Sequence, residues 1–194
     1  MLAQLSTIKA RLGISEYDVQ YDSILTNALK AISARFDKEC NRTLARTVDA
    51  EEEFDAEDSE ILMSCFPIES VTRFELKSSE SDGWIEQTGV EFLLRRKCVI
   101  SLAAPLGTCG QLARVIYTGG YRLPGAAGDA SQTPLPDDLE QAAIEQVAAW
   151  FQTRDKLGLV RHWPKGGIYE ELVQKELLIS VEAVLEKYAR WVVS

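Results

Sequence analysis

Apolar residues recur at three- and four-residue intervals near both ends of the chain and at shorter intervals through its middle. That pattern predicts helices flanking a β region. Leu2, Leu5, Ile8 and Leu12 form a short stripe closed by Gly13, which predicts a helix over 2–12. Ile24, Leu25, Ala28, Leu29, Ile32, Phe36 and Cys40 keep helical spacing over 22–41, with Asp22 or Ser23 as the cap. Lys30, Arg35, Asp37 and Lys38 take the other faces of that helix.

Beyond Arg42 the runs become short and are separated by turn residues. Strands are predicted at 47–54, 60–63, 70–76, 83–86, 91–94, 98–102 and 112–118. In the third of these, period-two alternation places Val71, Arg73 and Glu75 on one face and Thr72, Phe74 and Leu76 on the other, as in a half-buried antiparallel strand. Polar turns at 77–83 and 106–110 separate strands. The Gly/Ala/Pro/Ser segment 123–134 reads as a loop. Pro136 then opens a helix to about Arg154, with Asp137 and Asp138 in its first turn and Leu139, Ala142, Ala143, Gln146, Val147, Trp150 and Phe151 as its buried stripe. Gly158 and a turn at 163–167 precede a last helix over 168–192, carrying Leu172, Leu178, Ile179, Val181, Leu185 and Tyr188. The predicted fold class is α+β: a bundle of about four helices with a small antiparallel β subdomain inserted. In one 194-residue domain, helices occupy 1–42, the β subdomain 43–121, a loop 122–135 and further helices 136–194.

Composition narrows the chemistry. The chain has 46% apolar and 26% charged residues, with 21 basic against 30 acidic side chains, for a formal charge of −9. No apolar run approaches the ~20 residues that span a bilayer, so no membrane partner is expected. Met1 to Leu5 show no basic stretch before an apolar block, so no signal peptide is expected and a cytosolic start follows. A net acidic chain repels DNA phosphates rather than gripping them. Cys40, Cys65, Cys98 and Cys109 form no C-x-x-C pair and have no neighbouring histidine, which argues against structural zinc, and Cys40 on an apolar helix face with Cys65 and Cys98 beside apolar residues read as small buried thiols. His162 is the single histidine, in a polar segment between helices, and leaves a Cys/His dyad as the sole nucleophilic option. No phosphate-binding glycine loop or nucleophile-elbow motif is present.

Eight carboxylates crowd positions 49–60 without EF-hand spacing. Strand alternation puts Glu51 and Glu53 on one face and Glu52 on the other, as on a solvated edge strand; the same carboxylates would suit the wall of a channel through which DNA slides. Trp150 reads as core, whereas Trp163 and Trp191 read as partly exposed and are candidate interface anchors.

Three motifs in order resemble the tailed-bacteriophage head-tail connector family, also called head completion or adaptor proteins. They are Ala113-Arg114-Val115-Ile116-Tyr117-Thr118-Gly119-Gly120-Tyr121, then Leu135-Pro136-Asp137-Asp138-Leu139-Glu140-Gln141-Ala142 continuing to Arg154, then Val181 through Arg190 with its leucine, tyrosine and arginine. Lys187 stands where compared members often carry a proline. The resemblance implies a structural virion protein, free of cofactors, whose copies form a ring under the portal at the capsid vertex and extend the DNA channel. Its implied partners are the portal protein, the next neck or tail protein, further copies of itself, and genomic DNA that passes without specific binding. The implied location is the virion neck, assembled in the host cytoplasm.

By position, Leu185, Tyr188, Arg190 and Trp191 are the portal-contact candidates, or a terminal helix packed on its own subunit. Tyr117, Gly119, Gly120 and Tyr121, with Trp163, are candidates for a subunit interface, or for a turn that closes the sheet. Glu51, Glu52 and Glu53 are the channel-lining candidates. The alternatives are a tail terminator or stopper lower in the neck and, in another class, a small enzyme using Cys109 or Cys65 with His162.

Overall fold

The segment Leu112–Gly119 carries Ala113, Val115, Ile116 and Tyr117 at consecutive and alternate positions, so neither of its faces can be left to water. In the computed structural model, which describes residues 1–129, 131–154, 161–162, 170–171 and 177–190, it is the interior strand β7. The larger antiparallel sheet has the order β1-β7-β3-β4, with β1 at Thr47–Asp55, β3 at Ile68–Lys77 and β4 at Ile85–Gln87. A smaller sheet has the order β2-β6-β5, with β2 at Glu60–Leu62, β5 at Phe92–Arg95 and β6 at Val99–Leu102. With the helices α1 (Leu5–Leu12), α2 (Asp22–Glu39), α3 (Asp137–Thr153) and α4 (Ile179–Leu185), the fold is α+β. No described helix is long and apolar enough to cross a membrane.

The chain divides into two units, one of Met1–Phe36 with Pro136–Tyr188 and one of Asp37–Leu135 with Ala189–Ser194. In the helical unit, Ile8, Leu25, Leu29, Leu139, Val147, Val181 and Leu185 are buried, and Tyr21 meets Phe151 edge-on at 5.2 Å. Lys9 is buried but satisfied, since its Nζ donates to Asp22 Oδ1 at 2.8 Å and to the Glu16 carbonyl at 2.9 Å. Gly13 ends α1 at φ 69°, the left-handed geometry expected of it.

In the β unit the two sheets close over one core. Phe74, Val115 and Tyr117 of the larger sheet meet Ile61, Met63, Ile100 and Leu102 of the smaller sheet and the segment after β2. Phe74 and Phe92 pack edge-on at 5.5 Å, which sets β5 over β3. The predicted strands all form.

Four expectations are corrected. α1 begins at Leu5, because Leu2 and Ala3 bury themselves in an extended lead-in whose Leu2 N–H donates to Ser33 Oγ at 3.1 Å. Val71 and Phe74 do not lie on opposite faces: the register with β7 skips Thr72, and this bulge restores both side chains to the core side. The helix expected over 168–192 is shorter. Glu170–Glu171 pair with Arg161–His162 as a two-stranded ladder, β9 and β8, and α4 starts only at Ile179. Two-residue strands are too short to show a period of two, so the apolar residues from Leu172 to Tyr188 read as helical. Finally, the thiols are not uniformly buried. Cys40 and Cys65 are, Cys98 is half-buried and Cys109, in the turn before β7, is exposed.

Candidate functional site

Three features of the β unit draw on the residues singled out in the sequence: a buried clasp, a charged outer face and a groove at one side of the sandwich. The clasp arises from β1. Pleating sends Glu51, Glu53 and Asp55 outward and turns Glu52 and Phe54 toward the smaller sheet. A carboxylate facing a core must be paired. One oxygen of Glu52 accepts from Arg190 Nη2 at 2.8 Å, and the other accepts from the Ser64 N–H at 2.9 Å and from the Ser64 hydroxyl.

Arg190 also donates to the Leu62 carbonyl, and its own N–H donates to the Cys40 carbonyl at 2.8 Å. Its Nε is buried with no hydrogen-bond partner among the described residues. The side chains of Arg190 and Glu52 are only 17% and 13% exposed. Beside them the Tyr117 hydroxyl accepts from the Cys65 N–H at 2.9 Å, and burial pushes this phenol above its ordinary range.

The turn after β7 is packed against the same segment. A Cβ on Gly119 would be driven into the Cys65 carbonyl, and Gly120, at φ 98°, would meet the Ala45 carbonyl. Tyr121 exchanges backbone hydrogen bonds with Leu44 and Arg46, both at 2.8 Å. Arg42, buried nearby, sits over the Phe66 ring with its guanidinium carbon 3.2 Å from the centroid.

On the outer face of the larger sheet, Arg114 of β7 stands between Glu75 and Glu51. Its Nε donates to Glu75 at 2.5 Å and its Nη1 to Glu51 at 2.9 Å, while Arg73 donates to the other oxygen of Glu75 at 2.8 Å. Arg114 also covers the Trp84 ring at 4.5 Å. Burial alone would raise the Glu75 carboxyl, but the two guanidinium groups outweigh it and hold it below its usual range. Glu51 and Glu53 extend from this face into solvent.

The groove, about 760 Å³, runs between β1 and β2, each the outermost strand of its sheet. Phe54, Leu62, Val99 and Leu112 form its apolar lining, Glu53, Asp55, Asp58 and Glu60 its acidic rim, and Arg190 lies at one wall. Among the described residues, no group of three or more His, Cys, Asp or Glu side chains is arranged to hold a metal.

The remaining sequence candidates are dispersed. Leu185 is buried in the helical unit, and the half-buried Tyr188 donates its hydroxyl to Asp138 at 2.7 Å. Trp163 and Trp191 lie outside the described residues, as does the side chain of His162. The Cys65 thiol is buried against the Ala45 carbonyl at 3.5 Å, and burial raises its pKa. Trp150 is half-buried rather than core. Sequence reasoning missed the Arg73–Glu75–Arg114 array. Its signal was available, since opposite charges recur at alternate positions of two long strands. It also missed three exposed apolar residues, Ile85, Leu93 and Leu94, on the strands farthest from the groove.

No protein-family model matches the chain, and no curated protein sequence does. Among solved structures, it is similar to a chain of the neck of an empty GTA particle, computed with C6 symmetry. The TM-score is 0.60 at 15% identity, covering 100% of this chain and 92% of that one.

Two predictions follow from the buried charges. Arg190→Met should cost about 3 kcal/mol of unfolding free energy, because it strands a buried carboxylate, whereas Arg190→Met combined with Glu52→Gln should cost less. Urea unfolding measures both, and a double variant as unstable as the sum of the singles would contradict the pairing. Glu75 has a lowered folded-state pKa, so its contribution is complete above the ordinary glutamate range, about 4.3, and is lost as pH falls through the folded value. The stability gap between the native chain and Glu75→Gln should therefore be open at pH 7 and close on acidification. A gap that stays constant down to about pH 2 would contradict it.

Proposed function

We propose that this chain is a structural protein of a phage-like particle: a head-tail connector, or adaptor, that forms a ring under the portal, extends the DNA channel and joins head to tail. The observation that carries this reading is the fold shared along the whole chain with a chain of the GTA particle neck. The order of the three connector-like motifs supports it. C6 symmetry, in which that neck was computed, is the symmetry of a closed ring of rotated copies. The partners in this reading are the portal on one side, the next neck or tail protein on the other, and further copies of the chain laterally. The protein resides in the virion neck at the portal vertex after assembly in the host cytoplasm.

The work is binding and needs no cofactor. Carboxylates projecting into a channel repel phosphate, so a duplex passes without being held. Glu51 and Glu53, exposed on the outer face of β1, are suited to that wall. Glu52 serves it indirectly, by fixing β1 through its clasp with Arg190. Portal contact is assigned to the segment from Leu185 to Trp191, where the half-buried Tyr188 ring has surface to offer, while Leu185 and Arg190 hold the segment in place.

Light scattering of the purified chain, alone and with an assembled portal ring, tests the assignment. The expected result is a ring with a central hole, or a monomer that joins a ring only on the portal. Binding that requires another neck protein first would reassign the chain to a stopper or tail terminator, and indifference to portal and neck proteins would contradict the reading. Glu51→Gln with Glu53→Gln should leave assembly intact and change DNA retention or ejection. Particles that package, retain and eject DNA normally would remove these residues from the channel wall.

A further inference from the structure

The sandwich of the β unit has two unlike sides. On one, the outermost strands β1 and β2 have no further strand beside them among the described residues, although Arg190 takes the Leu62 carbonyl, and they enclose the groove lined by Phe54, Leu62 and Val99 and rimmed by Glu53, Asp55, Asp58 and Glu60, the last paired with Arg95 of β5 at 2.7 Å. On the other, the outermost strands are β4 and β5. There Ile85, Leu93 and Leu94 are 53%, 67% and 42% exposed. β5 runs into a tight turn at Arg96 and Lys97, with φ 50° and 55°, whose side chains are exposed and have no ion-pair partner among the described residues. One side thus offers an acidic, apolar-lined slot, and the other an apolar strand with a cationic tip.

Unpaired edges are templates for another strand, and charge decides which strand they accept. Two β1 edges brought together would set carboxylates against carboxylates, and two β5 tips would set cations against cations. Like charges across strands destabilise the pair. A β5 edge beside the groove of another copy puts Arg96 and Lys97 next to Asp55 and Asp58 and covers Leu93 and Leu94.

We propose that a second copy of this chain occupies the groove: the β5 hairpin of one copy seats between β1 and β2 of the next. The two patches lie on opposite sides of one unit, so the contact is head-to-tail. It therefore propagates to a ring when its rotation closes, rather than stopping at a dimer. This rests on the ring assembly proposed above and names the surfaces that would build it. Glu51 is left to the channel wall, while Glu53 also borders the groove.

The test is a charge exchange followed by sedimentation, alone and with the portal ring. Arg96→Glu with Lys97→Glu should abolish rings or raise the concentration needed for them by at least roughly tenfold. Asp55→Lys with Asp58→Lys should do the same. The chain carrying all four substitutions should recover assembly, because its complementarity is reversed but intact. Circular dichroism and thermal melting of each variant report folding, and these exposed positions should leave both unchanged. Native rings that persist in both charge-reversed pairs would overturn this interface and leave the ring reading standing, as would a loss that the fourfold exchange does not repair. A native chain that stays monomeric at every concentration, with and without portal, would overturn both.

Discussion

A negative charge turned toward a core is the constraint on which the β unit depends. β1 must present Glu52 to the interior once its neighbours Glu51 and Glu53 face water, because pleating allows no other alternation. That carboxylate is tolerable only when paired, and its cationic partner, Arg190, comes from 138 positions further along the chain. Ser64, following β2, takes the other carboxylate oxygen. One ion pair therefore ties the edge of the larger sheet, the end of β2 and the far segment of the chain into a single unit. Its neighbour Tyr117 is fully buried and fixes the backbone at Cys65, where the approach is so close that only glycine fits at 119.

The outer face of the same sheet is organised by the opposite arrangement. There the cation, Arg114, belongs to the interior strand, and the carboxylates of Glu75 and Glu51 converge on it from both sides. This leaves Glu51 partly exposed and Glu53 exposed. A strand with one face committed to folding and the other to charge is what an edge facing a channel requires. The proposed connector role uses the second face without disturbing the first.

Much of this was legible beforehand. Alternating or apolar runs bounded by turn residues located all seven strands of the sandwich. The stripe from Leu139 to Phe151 located α3 for the corresponding helical reason. The split of Glu51 and Glu53 from Glu52 followed from alternation alone. The bulge at Thr72 was not legible, since an extra residue leaves no mark in a single strand's composition and shows itself only in register against β7. Nor was the Glu52–Arg190 pair, because a single contact across such a separation has no local signature. The ladder of Arg161–His162 with Glu170–Glu171 was hidden because strands of two residues leave no periodic pattern of their own. The connector-like motifs pointed to an assembly protein, but the strand edges on which the proposed contact between copies rests became visible only in the strand order.

The most direct test of the connector account is a cryo-electron microscopy reconstruction of the joint formed by this chain with its portal and neighbouring neck protein. The account predicts a closed ring of this fold between the two, with the outer face of β1 toward the central channel. Density for the chain elsewhere in the particle, or a ring whose channel is lined by another part of the molecule, would contradict it.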